Sequence, residues 1–267
     1  AAPVGALSVY KGQSLIGDAI GHATFPGVVL AFMAFSTRSP AVLLVGAMAA
    51  AAVTFFAIQA AHENTRVGLN ANLAVFLSGF FGLGMVLKSF IQGNEAYRGA
   101  SQAGLETYIF GQAAYMLEAD VKLIAFVAAL CAALLFAFYK ELKVFVFDAE
   151  YARAVGLPVR LLQVLLPFLT IAVIGIGIKA VGAILISSFL IIPCVAASQW
   201  SDDFAHVLFL SAVFGVVAAL AGTYVSTLEQ GMSTGPSIIL AASAIAFLSM
   251  FFGKRGAFRK RGRREEA

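Results

Sequence analysis

"SLIGDAIGHATFPG", residues 14–27, opens a long apolar run yet carries Asp18, His22 and Pro26. Lipid tolerates such residues poorly, and an ionisable side chain inside a membrane span is a functional candidate by default. Asp18 and His22 are four residues apart, so on a helix they project from the same face. A carboxylate oxygen beside an imidazole nitrogen suits Mn²⁺, Fe²⁺ or Zn²⁺, and suits Ca²⁺ poorly because Ca²⁺ prefers oxygen throughout. Pro26 has no N–H, so the carbonyl of His22 loses its helical partner, and with Gly27 next to it a break or kink is expected near the pair. Irregular backbone at membrane depth lines a protein or water cavity. The bland alternatives are a structural hydrogen bond between Asp18 and His22, or an aspartate sitting near the headgroups. Two ligands hold a divalent ion weakly. Pairing of two copies about a twofold axis would bring two carboxylates and two imidazoles together, whereas a heterodimer would need a similar motif in its partner.

Hydrophobic residues make up 61% of the 267 and charged residues only 12%, with a mean hydropathy of +0.91. A soluble domain of this length would expose far more charge, so the chain reads as a polytopic membrane protein. Ten-residue segments of alternating polarity are missing, which disfavours an outer-membrane barrel. About 20 apolar residues span a bilayer as a helix. On that measure Ser14–Phe35, Pro40–Ala61, Ala71–Ile91, Val121–Tyr139, Leu161–Ile178, Val181–Ala197, Phe204–Val225 and Ile238–Phe252 are spans. The 181–197 segment is short enough to be tilted or re-entrant. "AAPVGALSVY" before Lys11 is too short to cross and reads as the last half of a helix. The expectation is an all-α bundle of eight full spans and a partial one, with a permease domain over residues 1–253 and a basic tail over 254–267.

The tail, "KRGAFRKRGRREEA", holds much of the positive charge and places the C-terminus in the cytoplasm by the positive-inside rule. Counting back through the spans puts the 140–160 loop, with Lys140, Lys143, Arg153 and Arg160, on the same side. The long polar stretch 92–120 falls outside, and "TYIFGQAAYM" within it suits the membrane interface. Beside a span, the basic tail needs membrane lipid and no nucleic acid to explain it. Cys131 and Cys194 sit in apolar runs as small core residues. His62 and Glu63 read as a solvated loop, and His206 as interfacial. Ser78, Gly79, Gly82 and Gly84 form a series that permits close helix approach.

The chain has no G-x-x-x-x-G-K-[ST] and no HExxH, so it neither binds ATP through its own P-loop nor carries a zinc-protease motif. Ion pumping would need an ion gradient or a separate ATPase. The stretch "FDAEYARAVGLP", residues 147–158, bears on that choice: Asp148 is a good N-cap, Ala149–Val155 favour helix, and Gly156 with Pro158 stops it. A two-turn helix in a cytoplasmic loop offers a docking surface to a partner; the other reading is a helix lying on the membrane.

"YKGQSLIGDAIGHATFPGVVLAF", residues 10–32, resembles the signature of the permease subunits of bacterial ABC transporters for manganese, zinc and iron. Ser14, Leu15, Gly17, Asp18, Ala19, His22, Ala23, Pro26 and Gly27 match its pattern. "SGFFGLGMVLKS", "TYIFGQ", "FDAEYARAVGLPV", "VGAILISSFLIIPCVAA" and "STGPSIIL" follow in the family's order. The resemblance implies an ABC importer permease fold of the metal/vitamin B12 type in the bacterial inner membrane. It also implies a second permease copy or paralogue, a cytoplasmic ABC ATPase that binds ATP, and an extracytoplasmic metal-binding protein. It places Asp18 and His22 in the translocation path and makes Asp148, Glu150, Tyr151, Arg153 and Gly156 candidate contacts for the ATPase. "LETYIFGQ" would suit docking of the binding protein. The cargo is expected to be Mn²⁺, with Zn²⁺ or Fe²⁺ as alternatives, the chain itself being a transport subunit and no enzyme. Because protonated histidine is not a ligand, transport should fall at acid pH. The rival hypotheses are a gradient-driven secondary carrier that uses Asp18 and His22 as a proton and metal relay, and a membrane enzyme.

Overall fold

A computed structural model of the chain describes residues 1–37, 39–94, 118–228 and 232–255. Among them are eleven helices and no strand: α1 (Ala2–Tyr10), α2 (Ile16–Phe35), α3 (Pro40–Asn64), α4 (Leu69–Gly93), α5 (Glu118–Ala137), α6 (Tyr139–Phe147), α7 (Ala149–Ala154), α8 (Val159–Val181), α9 (Ala183–Ser198), α10 (Phe204–Ser226) and α11 (Thr234–Phe252). Seven of these, α2–α5, α8, α10 and α11, are long and apolar enough to cross a membrane. The segment expected as an eighth span is α9, whose 16 residues reach only about 24 Å at the helical rise, short of a hydrocarbon core of about 30 Å.

The chain forms two compact units. One comprises residues 15–131 and 167–187, the other residues 1–14, 132–166 and 188–267. In the first, α2 packs against α3 and α4. Phe25, Val28, Val29 and Phe32 of α2 are buried with Leu43, Ala47 and Ile91. A Cβ on Gly27 would lie 2.6 Å from Ala50 Cβ and closer still to the Gly46 carbonyl. These glycines set the α2–α3 distance, as small residues do between membrane helices. Gly84 does the same for α4, where a Cβ would meet the Phe25 ring and lie 3.0 Å from Pro26 Cδ. Gly79 and Gly82, expected to share that role, have nothing within 4 Å of an added Cβ.

In the second unit α10 packs on α11 and α1. A Cβ on Gly222 would run into the backbone of Ile238, and one on Gly5 into the backbone of Leu190. Tyr10, at the end of α1, meets the rings of Phe147 at 5.6 Å and Phe204 at 5.2 Å. Tyr139 stacks on Phe204, and the Lys11 ammonium lies 4.0 Å from the Phe145 ring centre. Arg255 pairs with Asp202, and its N–H donates to the Gln199 carbonyl. The ends of α1, α6, α9, α10 and α11 therefore gather at one end of this unit.

Three local expectations change. Residues 140–147, read as loop, are the helix α6, whose Leu142, Phe145 and Val146 are buried at i, i+3, i+4 spacing. His62 and Glu63 lie in the last turn of α3 instead of a loop. Side-chain bonds extend that turn: Gln59 donates to Glu63, and Asn64 and Thr65 to the carbonyls of Ala60 and Ala61. The helix also does not stop at Pro26 and Gly27, since α2 continues to Phe35, where Ser36 in the left-handed region (φ 47°) ends it. Between α8 and α9 a single residue, Gly182 at φ +87°, interrupts the helix, a conformation that costs glycine little.

Candidate functional site

Asp18 stands in the first turn of α2, where the positive end of the helix dipole favours a carboxylate. His22, one turn on, brings Nε2 to 3.5 Å from Asp18 Oδ1, with the two side chains 16% and 31% exposed respectively. That separation exceeds the usual N–H···O hydrogen-bond range of about 2.7–3.2 Å. Two donors bound to one ion at about 2.1 Å lie about 3.0 Å apart at a right angle and about 3.4 Å apart at a tetrahedral one. The pair is thus spaced for two ligands flanking one ion better than for a direct hydrogen bond.

Two neighbours hold it. The Phe81 ring of α4 meets the His22 imidazole edge to face, with centres 5.0 Å apart at 82°, a preferred aromatic geometry that restricts the imidazole rotamer. The Ser187 hydroxyl of α9 donates to Asp18 Oδ1 at 2.8 Å. Thr24 turns its own hydroxyl back on the Gly21 carbonyl within α2. Pro26 lies inside α2 and has no N–H to offer the His22 carbonyl four residues earlier. Among the described residues no three His, Cys, Asp or Glu side chains converge on a point. Asp18 and His22 thus stand as a pair, without a third such side chain among the described residues beside them.

The second candidate region is α7. Asp148 caps it by accepting the Tyr151 N–H at 2.8 Å, and Gly156, at φ +80°, ends the turn before Pro158, as its sequence predicts. Ala152 is buried, while Glu150, Tyr151, Arg153 and Gly156 are exposed. Phe147 before the cap and Val155 after the last turn are also exposed, so this short segment presents apolar and charged side chains together.

Sequence reasoning missed Ser187 and Phe81, because a hydroxyl or a ring in an apolar run carries no periodic signal. It also missed the cap of α10, where Asp203 accepts the Ala205 N–H at 3.2 Å and sits 2.7 Å from His206 Nδ1. The Ala205 N–H first, and then His206, hold the Asp203 carboxyl below its ordinary value. Burial pushes the Lys11 ammonium down to about 8, although the Phe145 ring face beneath it favours the charged form. Cys131 and Cys194 are free and buried, as expected of core residues. "LETYIFGQ" and most of the basic tail lie outside the described residues.

Seven helices of membrane-crossing length and polarity among the described residues define a multi-pass membrane protein. The chain belongs to the ABC 3 transport family, whose model matches residues 1–253. It is 37% identical over 254 residues to the manganese transport system membrane protein MntC of Bacillus subtilis, covering 95% of this chain and 58% of that protein. It is 36% identical over 250 residues to the zinc transport system membrane protein TroC of Treponema pallidum, covering 94% of this chain and 83% of that protein. The solved structure of PsaBC from Streptococcus pneumoniae in complex with Fab superposes with a TM-score of 0.82 at 27% identity, covering 98% of this chain and 89% of that one.

Proposed function

We propose that this chain is the membrane-spanning subunit of an ATP-driven importer that carries a divalent transition-metal ion through the bacterial inner membrane. Mn²⁺ is the favoured cargo, and Zn²⁺ and Fe²⁺ suit the same donors. The observation that carries the proposal is the Asp18–His22 pair, one carboxylate and one imidazole 3.5 Å apart on one face of α2. The manganese and zinc systems named for its relatives support the same cargo class.

In the proposed cycle an extracytoplasmic binding protein releases the ion above the permease. Asp18 attracts and coordinates it, and neutral His22 selects against Ca²⁺ and Mg²⁺, which take oxygen ligands. The His22 carbonyl, without a donor from Pro26, can add a third oxygen. A second permease copy or paralogue supplies the remaining ligands. A cytoplasmic ABC ATPase docks on α7 through Asp148, Glu150, Tyr151, Arg153 and Gly156, and its ATP binding and hydrolysis move the permease helices. Residues 1–253 form the permease and 254–267 a basic tail. The seven Lys and Arg of that tail set the C-terminus in the cytoplasm.

The test is transport by the purified complex in liposomes with its cognate binding protein, supplied with Mn²⁺, Zn²⁺ or Fe²⁺. ATP-dependent accumulation that survives a protonophore is expected. Accumulation without ATP that the protonophore abolishes would make the chain a gradient-driven carrier, with Asp18 and His22 as its proton relay.

A further inference from the structure

Ser187 lies on α9, five residues beyond Gly182, and is 2% exposed. Its hydroxyl reaches Asp18 Oδ1 at 2.8 Å across 169 residues of sequence, and the same oxygen is 3.5 Å from His22 Nε2. Ser211 and Thr24, also buried in apolar helices, turn their hydroxyls back on carbonyls of their own helices. The Ser187 hydroxyl joins a second helix to the ionisable pair.

A carboxylate oxygen has two lone pairs. With one of them accepting from Ser187, the other is left to face the space between Oδ1 and Nε2. The type of donor matters too. A Lys or Arg in this position would hold the carboxylate but would repel a cation and neutralise the charge that attracts it. A hydroxyl orients the oxygen and leaves its negative charge available. We infer that Ser187 is a positioning residue for the cargo: its hydroxyl holds the Asp18 carboxylate in the orientation that, with His22, binds a transition-metal ion. The inference rests on the proposed role of Asp18 as a ligand. Gly182 contributes at one remove, because the interruption it makes precedes α9 and so sets where residue 187 falls.

The test is a Co²⁺ titration of the purified permease complex, read by the ligand-field absorption of the bound ion. Ser187→Ala is expected to weaken Co²⁺ binding by about 10- to 100-fold, the usual effect of removing a group that orients a metal ligand. Ser187→Thr, which keeps the hydroxyl, should retain binding. Wild-type affinity in Ser187→Ala, with binding abolished in Asp18→Asn, overturns the role of Ser187 and leaves Asp18 as a ligand. A Thr variant as weak as the Ala variant also overturns it, since packing would then be the cause. If Asp18→Asn binds Co²⁺ as wild type does, or wild type shows no absorption, the ligand role of Asp18 fails first.

Discussion

Gly27→Ala adds one methyl group at the point where α2 crosses α3. The new Cβ would lie 2.6 Å from Ala50 Cβ and nearer still to the Gly46 backbone, so relief requires the helices to part by about 1 Å to regain ordinary contact. Backbone atoms cannot rotate away as a side chain can, which places the penalty toward the upper part of the usual overpacking range of about 1–3 kcal/mol. Alanine's better helix propensity returns up to about 1 kcal/mol, leaving a net loss of about 2 kcal/mol. Gly79→Ala is the control, because nothing lies within 4 Å of its added Cβ and only the propensity gain applies. Thermal unfolding of the detergent-solubilised permease, followed by the loss of its monodisperse chromatographic peak, measures both. A net 2 kcal/mol corresponds to a drop of about 4–8 °C for a chain of this size, whereas Gly79→Ala should hold or rise. Equal midpoints for the two variants would refute the glycine-mediated crossing of α2 and α3.

Asp148→Ala removes the α7 cap and should cost about 1 kcal/mol of local helix stability; the expected result is metal-stimulated ATPase activity that falls while the amount of permease in the membrane holds, checked by activity assay and immunoblot. Lys11 gives a pH signature: its folded form loses the proton near 8 and its unfolded form near the ordinary 10.5. The unfolded chain therefore holds more protons between those values, and stability should rise with pH across that window. Lys11→Met should flatten this slope in thermal unfolding scans and should raise the midpoint below pH 8, where the ammonium is charged and desolvated.

The parts legible in the sequence are those written in local spacing. Asp18 and His22 share a face because four residues make about one turn, and the Asp148 cap with its Gly156 stop can be read from residue types alone. Charge misled the reading of α6: "KELK" suggests a loop, but Leu142, Phe145 and Val146 already form a buried helical stripe. The end of α3 was hidden in side-chain bonds back to carbonyls, which hydropathy does not register. Ser187 was out of reach for a different reason. Its partner is 169 residues away, and only the packing of α9 beside α2 reveals the contact. Likewise, nothing in the glycine series of α4 distinguishes Gly84, pressed against Pro26, from Gly79 and Gly82, which face open space.

The most direct measurement is uptake of radioactive Mn²⁺ by cells carrying the complete transporter with either Asp18→Asn or His22→Ala. Permease levels in the membrane should match wild type, and competition by Zn²⁺ should be recorded alongside. If the two side chains ligate the passing ion, each variant loses most of its uptake, and His22→Ala also loses discrimination against Ca²⁺. Uptake at the wild-type rate in both variants would contradict the placement of the ion path at Asp18 and His22.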